Sequence, residues 1–201
     1  MKKLFFGVLV LGMLLPGKTV AQSFQKGQMD LNLGLGLGDQ FLGTGYQMTL
    51  PPLSASFDYG INDIISIGGV LGYAGSKYSF SSTEWCSNNP GNQYLWSNYT
   101  DTYKWNYFII GARGAYHFAK LIKIDKLDVY AGLMLGDAVA SSSYSTTSLC
   151  PDHVRATIST SGGFVYSAFG GARYRFNGKA GVFAELGFGL TILNIGFNYK
   201  F

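Results

Sequence analysis

In the last nine residues, Leu193-Asn194-Ile195-Gly196-Phe197-Asn198-Tyr199-Lys200-Phe201, every odd position is large and apolar or aromatic and every even one is Asn, Gly or Lys. Successive side chains of a strand point to opposite faces, so a period of two describes a strand that is greasy on one side alone. Its length matches the roughly 9–11 residues with which a tilted strand crosses a bilayer. A chain built from such strands is confined to very few folds.

The pattern recurs along the chain. In Met29 to Gly38 it is unbroken, with Met29, Leu31, Leu33, Leu35 and Leu37 on one face and Asp30, Asn32 and glycines on the other. Gly34, Gly36 and Gly38 follow a G-x-G-x-G spacing with no helix behind it, which suits a small inner face better than a phosphate cradle. Leu53, Ala55, Phe57 and Tyr59 alternate with Ser54, Ser56 and Asp58 up to the turn residues Gly60-Ile61-Asn62-Asp63. A third strand places Ile65, Ile67, Leu71 and Tyr73 opposite Ser66, Gly68, Gly72 and Ala74, and a fourth, near Tyr103 to Phe118, places Phe108, Ile110, Ala112, Tyr116 and Phe118 opposite Arg113 and His117. Val129, Ala131, Leu133 and Leu135 mark the fifth, and Phe164, Tyr166, Ala168, Ala172, Tyr174 and Phe176 the sixth, opposite Ser167, Arg173 and Arg175. Asn177-Gly178 is a strong hairpin signal, after which Val182, Ala184, Leu186, Phe188 and Leu190 alternate with Phe183, Glu185, Gly187 and Gly189.

With the terminal segment this makes eight strands. Short connections near residues 60–63, 120–126 and 177–178 alternate with long loops expected near 39–51, 76–102 and 141–161, apart from a brief one at Thr191-Ile192. Charged residues are 13% of the chain, about half the usual share of roughly 25%, so a soluble surface is hard to build. Past the N-terminal run no apolar stretch approaches the roughly 20 residues of a membrane helix. Strands cross lipid only when the sheet closes and leaves no edge. The expected fold is therefore all-β, an eight-stranded antiparallel up-and-down transmembrane β-barrel. Alternation alone leaves open whether the greasy face meets lipid or lines a ligand cavity. The opposite face, mostly Gly, Ser, Asn and Ala, suits a narrow packed lumen and favours the lipid-facing reading.

Met1-Lys2-Lys3, an apolar run from Leu4 to Leu15 and Thr19-Val20-Ala21 before Gln22 read as a cleaved signal peptide over 1–21, leaving a barrel domain over 22–201. No Cys stands at the cleavage point, so no lipid anchor is expected. Of the 15 basic residues, Lys2, Lys3 and Lys18 leave with the leader, so 12 face 11 acidic ones and no nucleic-acid partner is implied.

Arg113, Arg173, Arg175 and Glu185 all fall on the inner face, where unpaired charge is costly, so they should pair, with Asp30 and Asp58 joining them. Such a set is either a salt-bridge network that fills the barrel, the preferred reading, or a gate that restricts ions. Cys86 and Cys150, the only cysteines, fall in two different long loops of an exported chain. A disulfide between them is preferred over two free thiols, and a metal site has too few companions. A hydrolytic barrel would need His beside a nucleophilic Ser and a carboxylate at the outer rim. His117 falls near the short-turn end and His153 in a loop with Asp152, where solvation is the preferred fate. Trp85, Tyr94, Trp96, Tyr99, Tyr103 and Trp105 are divided between an interfacial girdle and a surface recognition patch.

From Phe183-Ala184-Glu185-Leu186-Gly187-Phe188-Gly189 through Phe201 the chain resembles the small outer-membrane β-barrel proteins of the OmpA/OmpX-like, eight-stranded kind, and the likeness extends over nearly the whole mature sequence. It implies that the aromatic row Phe197, Tyr199 and Phe201 is the signal read by the barrel-assembly machinery during biogenesis. No peptidoglycan-binding segment of the larger relatives is expected after Phe201. The expected protein is a non-enzymatic monomer in the lipid of the cell outer membrane. It has no catalytic residue, cofactor or metal, and its loops are displayed to an unidentified extracellular ligand. The alternative is a narrow pore for small solutes or ions.

Overall fold

The computed structural model describes residues 24–39, 45–87, 94–118, 124, 126–150, 153–154, 160–188 and 191–201. The segment read as a signal peptide lies outside them. Eight strands, β1 (Met29–Asp39), β2 (Gln47–Gly60), β3 (Ile65–Ser87), β4 (Tyr94–His117), β5 (Leu127–Thr146), β6 (Gly163–Arg175), β7 (Ala180–Phe188) and β8 (Thr191–Lys200), pair antiparallel with their chain neighbours. The ring closes where β1 pairs with β8, from Asp30 opposite Lys200 to Asp39 opposite Thr191.

The polarity of a soluble protein is reversed. Leu33 is 52% exposed and Leu133 65%, whereas Asp30 and Arg173 are fully buried. Every outward residue expected on β1 points outward, and the other strands follow the same parity. Aromatic pairs border this apolar band at both ends: Tyr116 with Phe118, Tyr174 with Phe176 and Tyr199 with Phe201 at the short-turn end, and Phe164 with Tyr166 and Tyr166 with Phe188 at the other. The turn chemistry is satisfied as read. Asn62 Oδ1 accepts from the Ile64 and Ile65 N–H groups, and Asn177 Oδ1 accepts from those of Lys179 and Ala180.

Three boundaries differ from the sequence reading. Residues 76–102, expected as a long loop, are largely strand: β3 and β4 continue as a two-stranded ribbon that stays in register out to Ser87 opposite Tyr94. Alternation disappears there because both faces are wet, and cross-strand pairs hold the ribbon instead: Ser79 with Thr102 (3.2 Å), Ser81 with Thr100 (2.9 Å) and Thr83 with Asn98 (3.0 Å). The loop expected at 141–161 likewise begins as strand, since β5 reaches Thr146 opposite Asp101. The loop expected over 39–51 ends early, because β2 starts at Gln47 and passes through Pro51 and Pro52. Register shifts between Met48 and Leu53 accommodate the prolines, which have no N–H for the ladder.

The lumen is not uniformly polar either. Val70, Ile109, Met134 and Ala138 form a small apolar cluster inside the barrel, with Val165 and Phe169 against it. At the short-turn end residues 24–28 fold under the barrel, where Gly27 N–H donates to Gly60 O and Gly60 N–H to Gln28 O (2.9 Å each). Gly27 adopts φ 78°, which lets the chain reverse there.

Candidate functional site

The inward parity of five strands brings the predicted charges together in the lower lumen, and β5 adds Asp128. Arg113 on β4 reaches Glu185 of β7 (Nη2 to Oε1, 2.7 Å) and Asp58 of β2 (Nε to Oδ1, 3.1 Å). Arg173 on β6 pairs with Asp58 and lies 3.6 Å from Asp30 and 3.5 Å from Asp128. Arg175 binds Asp30 at 2.9 Å. Two guanidiniums also cover rings, Arg113 over Phe169 (4.2 Å) and Arg173 over Tyr130 (4.3 Å). Neutral groups take the remaining lone pairs: Asn32 donates to Asp58, Asn198 to Asp30, and the Tyr130 hydroxyl to Glu185 at 2.8 Å.

Asp128 and Tyr130 were absent from the sequence reading of this cluster. Their signal was parity, since both stand opposite the outward row Val129 and Ala131 of β5. Between the charge network and the apolar cluster lies a cavity of about 50 Å³ bordered by Ser56, Arg113, Ser167, Glu185 and Asn194, enough for a few waters. Below it the fully buried Arg173, Tyr130 and Arg175 fill the section.

His117 completes the lower end. Its Nδ1 meets Asp128 Oδ1 at 2.8 Å and its Nε2 meets Ser66 Oγ at 2.9 Å, the connectivity of an acyl-transfer triad. The constellation lies on β3, β4 and β5 at the end opposite to the rim where the sequence reading looked for it. Ser66, His117 and Asp128 are fully buried, and the Phe24 ring lies flat on the imidazole with centroids 3.6 Å apart. Around Ser66 β3 has a partner on each side, so the N–H groups of that stretch are committed to the ladders rather than to an oxyanion. In this arrangement the relay is a strut between three strands.

The opposite end carries a second cluster. Cys86 of β3 and Cys150, just past β5, are joined by a disulfide with Cα atoms 5.7 Å apart. His153, three residues on, is not left to solvent as expected. It sits between two carboxylates on the inward side of the β3–β4 ribbon: Nδ1 is 2.7 Å from Glu84 Oε2 and Nε2 is 3.1 Å from Asp101 Oδ1. Tyr144 donates to Asp101 at 2.8 Å, Ser148 donates to Glu84, and Tyr99 meets the imidazole edge-on. Asp152, the partner considered in the sequence reading, lies outside the described residues.

The hydrogen bond to Glu84 holds the His153 pKa above the ordinary histidine value against the opposing effect of burial, and Asp101 adds to it. Burial works against the two carboxylates. Hydrogen bonds from Ser148 and His153 nevertheless hold Glu84 below its usual range, and those from Thr146, Tyr144 and His153 do the same for Asp101. This clasp of His153 between Glu84 and Asp101 holds the strap, the segment past β5 that carries Cys150 and His153 to the ribbon. It therefore stabilises the strap below the raised histidine pKa and is lost as pH rises through it; at the acid end it is lost as pH falls through the lowered carboxylate values. With the disulfide reduced, the strap should resist protease at about pH 6 and be cut at about pH 9. His153→Ala should be cut at both, and a strap equally resistant at both pH values in the parent would contradict the clasp.

Of the six aromatic residues read from the ribbon's sequence, five do not form the girdle. Tyr99 lies against His153, and the side chain of Tyr94 lies outside the described ones. Tyr103 and Trp105 turn inward to Tyr144 and Tyr46, while Trp85 and Trp96 pair at the outer tip with centroids 5.0 Å apart.

No protein-family model matches the sequence, and no curated protein does. Among solved structures, the N-terminal β-barrel domain of Pseudomonas aeruginosa OprF is similar at 11% identity, over 88% of this chain and 99% of that one, with a TM-score of 0.42. The Yersinia pestis outer membrane protein Ail in a phospholipid bilayer nanodisc is similar at 10% identity, over 88% of this chain and 100% of that one, with a TM-score of 0.43. Ail in complex with the heparin analogue sucrose octasulfate gives 10%, 88%, 99% and 0.40. On the pairing of its own strands, the chain is a closed, antiparallel, eight-stranded β-barrel.

Proposed function

We propose that this protein is an integral barrel of the outer membrane with a closed lumen, and that its working part is the strapped ribbon β3–β4 displayed outside the cell for envelope integrity or surface interaction. The observation that carries the reading is the combination of faces: an apolar outward band bordered by aromatic residues around a lumen filled by paired charge. Eight strands leave an interior just wide enough for side chains to fill, and here Arg173, Tyr130 and Arg175 fill it. The lipid around the band and the assembly machinery are the partners this reading requires. Phe197, Tyr199 and Phe201 form the assembly signal, at the end where Phe201 N–H closes the β1–β8 seam on Met29 O (3.0 Å).

Planar-bilayer recording tests the closed lumen. Protein inserted in the bilayer should give no steady conductance, and neither Arg113→Gln nor Glu185→Gln should create a stable open level. A steady conductance in the parent that changes on neutralising either residue would make the protein a narrow pore.

A further inference from the structure

The outward face of the β3–β4 ribbon is chemically ordered along its length. Tyr73 and Phe108 stand opposite each other where the apolar band ends, and beyond them come Gly75 with Asn106 and then Lys77 with Lys104. Next are the hydroxyl and amide pairs Ser79 with Thr102, Ser81 with Thr100 and Thr83 with Asn98, and at the tip Trp85 with Trp96. A hollow of about 380 Å³ lies along Ser81, Thr83, Asn98 and Thr100. At roughly 3.3 Å per residue the track from Lys77 to Trp85 is about 26 Å long.

The two lysines are the anomaly in it. Like charges directly opposite on one face of an antiparallel pair repel. Their other cross-strand neighbours, Gln47 and Ser143, are neutral, and neither lysine has an ion pair among the described residues. The ribbon's carboxylates, Glu84 and Asp101, are on its other side with His153. A cationic pair on the face opposite the ribbon's own carboxylates, with no ion pair among the described residues and one step beyond a lipid-facing apolar band, is matched by an anion carried at the surface of that lipid.

We propose that this face is a binding track for a phosphorylated glycolipid of the leaflet that surrounds the long-loop end. Acyl chains lie against Tyr73 and Phe108, a headgroup phosphate bridges Lys77 and Lys104, sugar hydroxyls meet the Ser and Thr ladder, and sugar rings rest on Trp85 and Trp96. The inference rests on the membrane reading above, because only insertion brings the lysines to headgroup level.

The test uses the full barrel in nanodiscs, with insertion verified for each variant by the mobility shift of unboiled against boiled protein on a gel. Diphosphorylated lipid A, the same lipid stripped of phosphate, phosphatidylglycerol and free inorganic phosphate are titrated, and bound lipid is counted by native mass spectrometry. Diphosphorylated lipid A should bind at least about tenfold more tightly than either the stripped form or phosphatidylglycerol, and free phosphate should not compete at millimolar levels. Lys77→Gln with Lys104→Gln should weaken diphosphorylated lipid A about thirtyfold and leave the stripped lipid unchanged. Lipopolysaccharide carrying core sugars should bind more tightly than lipid A, and Trp85→Ala with Trp96→Ala should abolish that gain. An inserted barrel that binds all the lipids alike, or a lysine variant that binds as the parent does, overturns the track. A parent that fails to insert overturns the membrane reading instead.

Discussion

Arg173→Met is expected to lower the folding free energy of the barrel by about 3–5 kcal/mol, the range for removing one partner from a buried ion pair. Arg173 is fully buried, pairs with Asp58, and stands within 3.6 Å of both Asp30 and Asp128. Its loss leaves three buried carboxylates, from β1, β2 and β5, with only two guanidiniums, Arg113 on Asp58 and Arg175 on Asp30, and Asp128 with none nearer than Arg175 at 4.0 Å. Methionine keeps most of the length over the Tyr130 ring, so the cost is one of charge rather than volume. Urea unfolding of protein in lipid vesicles, followed by tryptophan fluorescence, measures it. Adding Asp58→Asn should recover part of the loss, because residues of one network do not act additively. An Arg173→Met midpoint equal to that of the parent would mean that the network carries no stability.

The second large effect is expected at Gly68. This residue faces inward on β3, and a side chain there would run into the backbone carbonyl of Phe57 on β2. The clash is with backbone, which cannot swing aside as a flexible side chain does, so Gly68→Ala must push β2 and β3 apart at the level of Asp58. A cost at or above the usual 1–3 kcal/mol of overpacking is expected, with a lower yield of folded barrel. Gly163→Ala is the control, since nothing lies within 4 Å of a side chain there. Equal refolding yields for the two variants would contradict the close approach of the strands.

The sequence was most legible where one face meets lipid. In β1 and β8 the chemical contrast between neighbours is large, and parity alone placed Asp30, Arg113, Arg173 and Glu185 inside. It became illegible where both faces meet water: Ser, Thr and Tyr on either side of the β3–β4 ribbon carry no period, and the ribbon looked like loop. Inward parity also marked Asp128 and Tyr130, but one-dimensional spacing could not say which inward residues share a level, because that depends on the stagger between strands. The clasp on His153 needed three distant segments, with Glu84 and Asp101 meeting it only after the ribbon had formed. The two cysteines were easier, since no other thiol competes for either of them.

The claim on which the rest depends is that the outward apolar band is in lipid. The protein has three tryptophans, Trp85, Trp96 and Trp105, which can be replaced by phenylalanine to leave a silent background. Single tryptophans are then introduced at Leu33, Ile110, Leu133 and Leu186, on four strands around the ring, and the barrel is refolded into vesicles whose acyl chains carry bromine. All four should emit at short wavelength and be quenched by the brominated chains, and aqueous iodide should leave them untouched. Quenching by iodide at these positions, with no effect of the brominated chains, would mean that the band faces water and that the protein is not a membrane barrel.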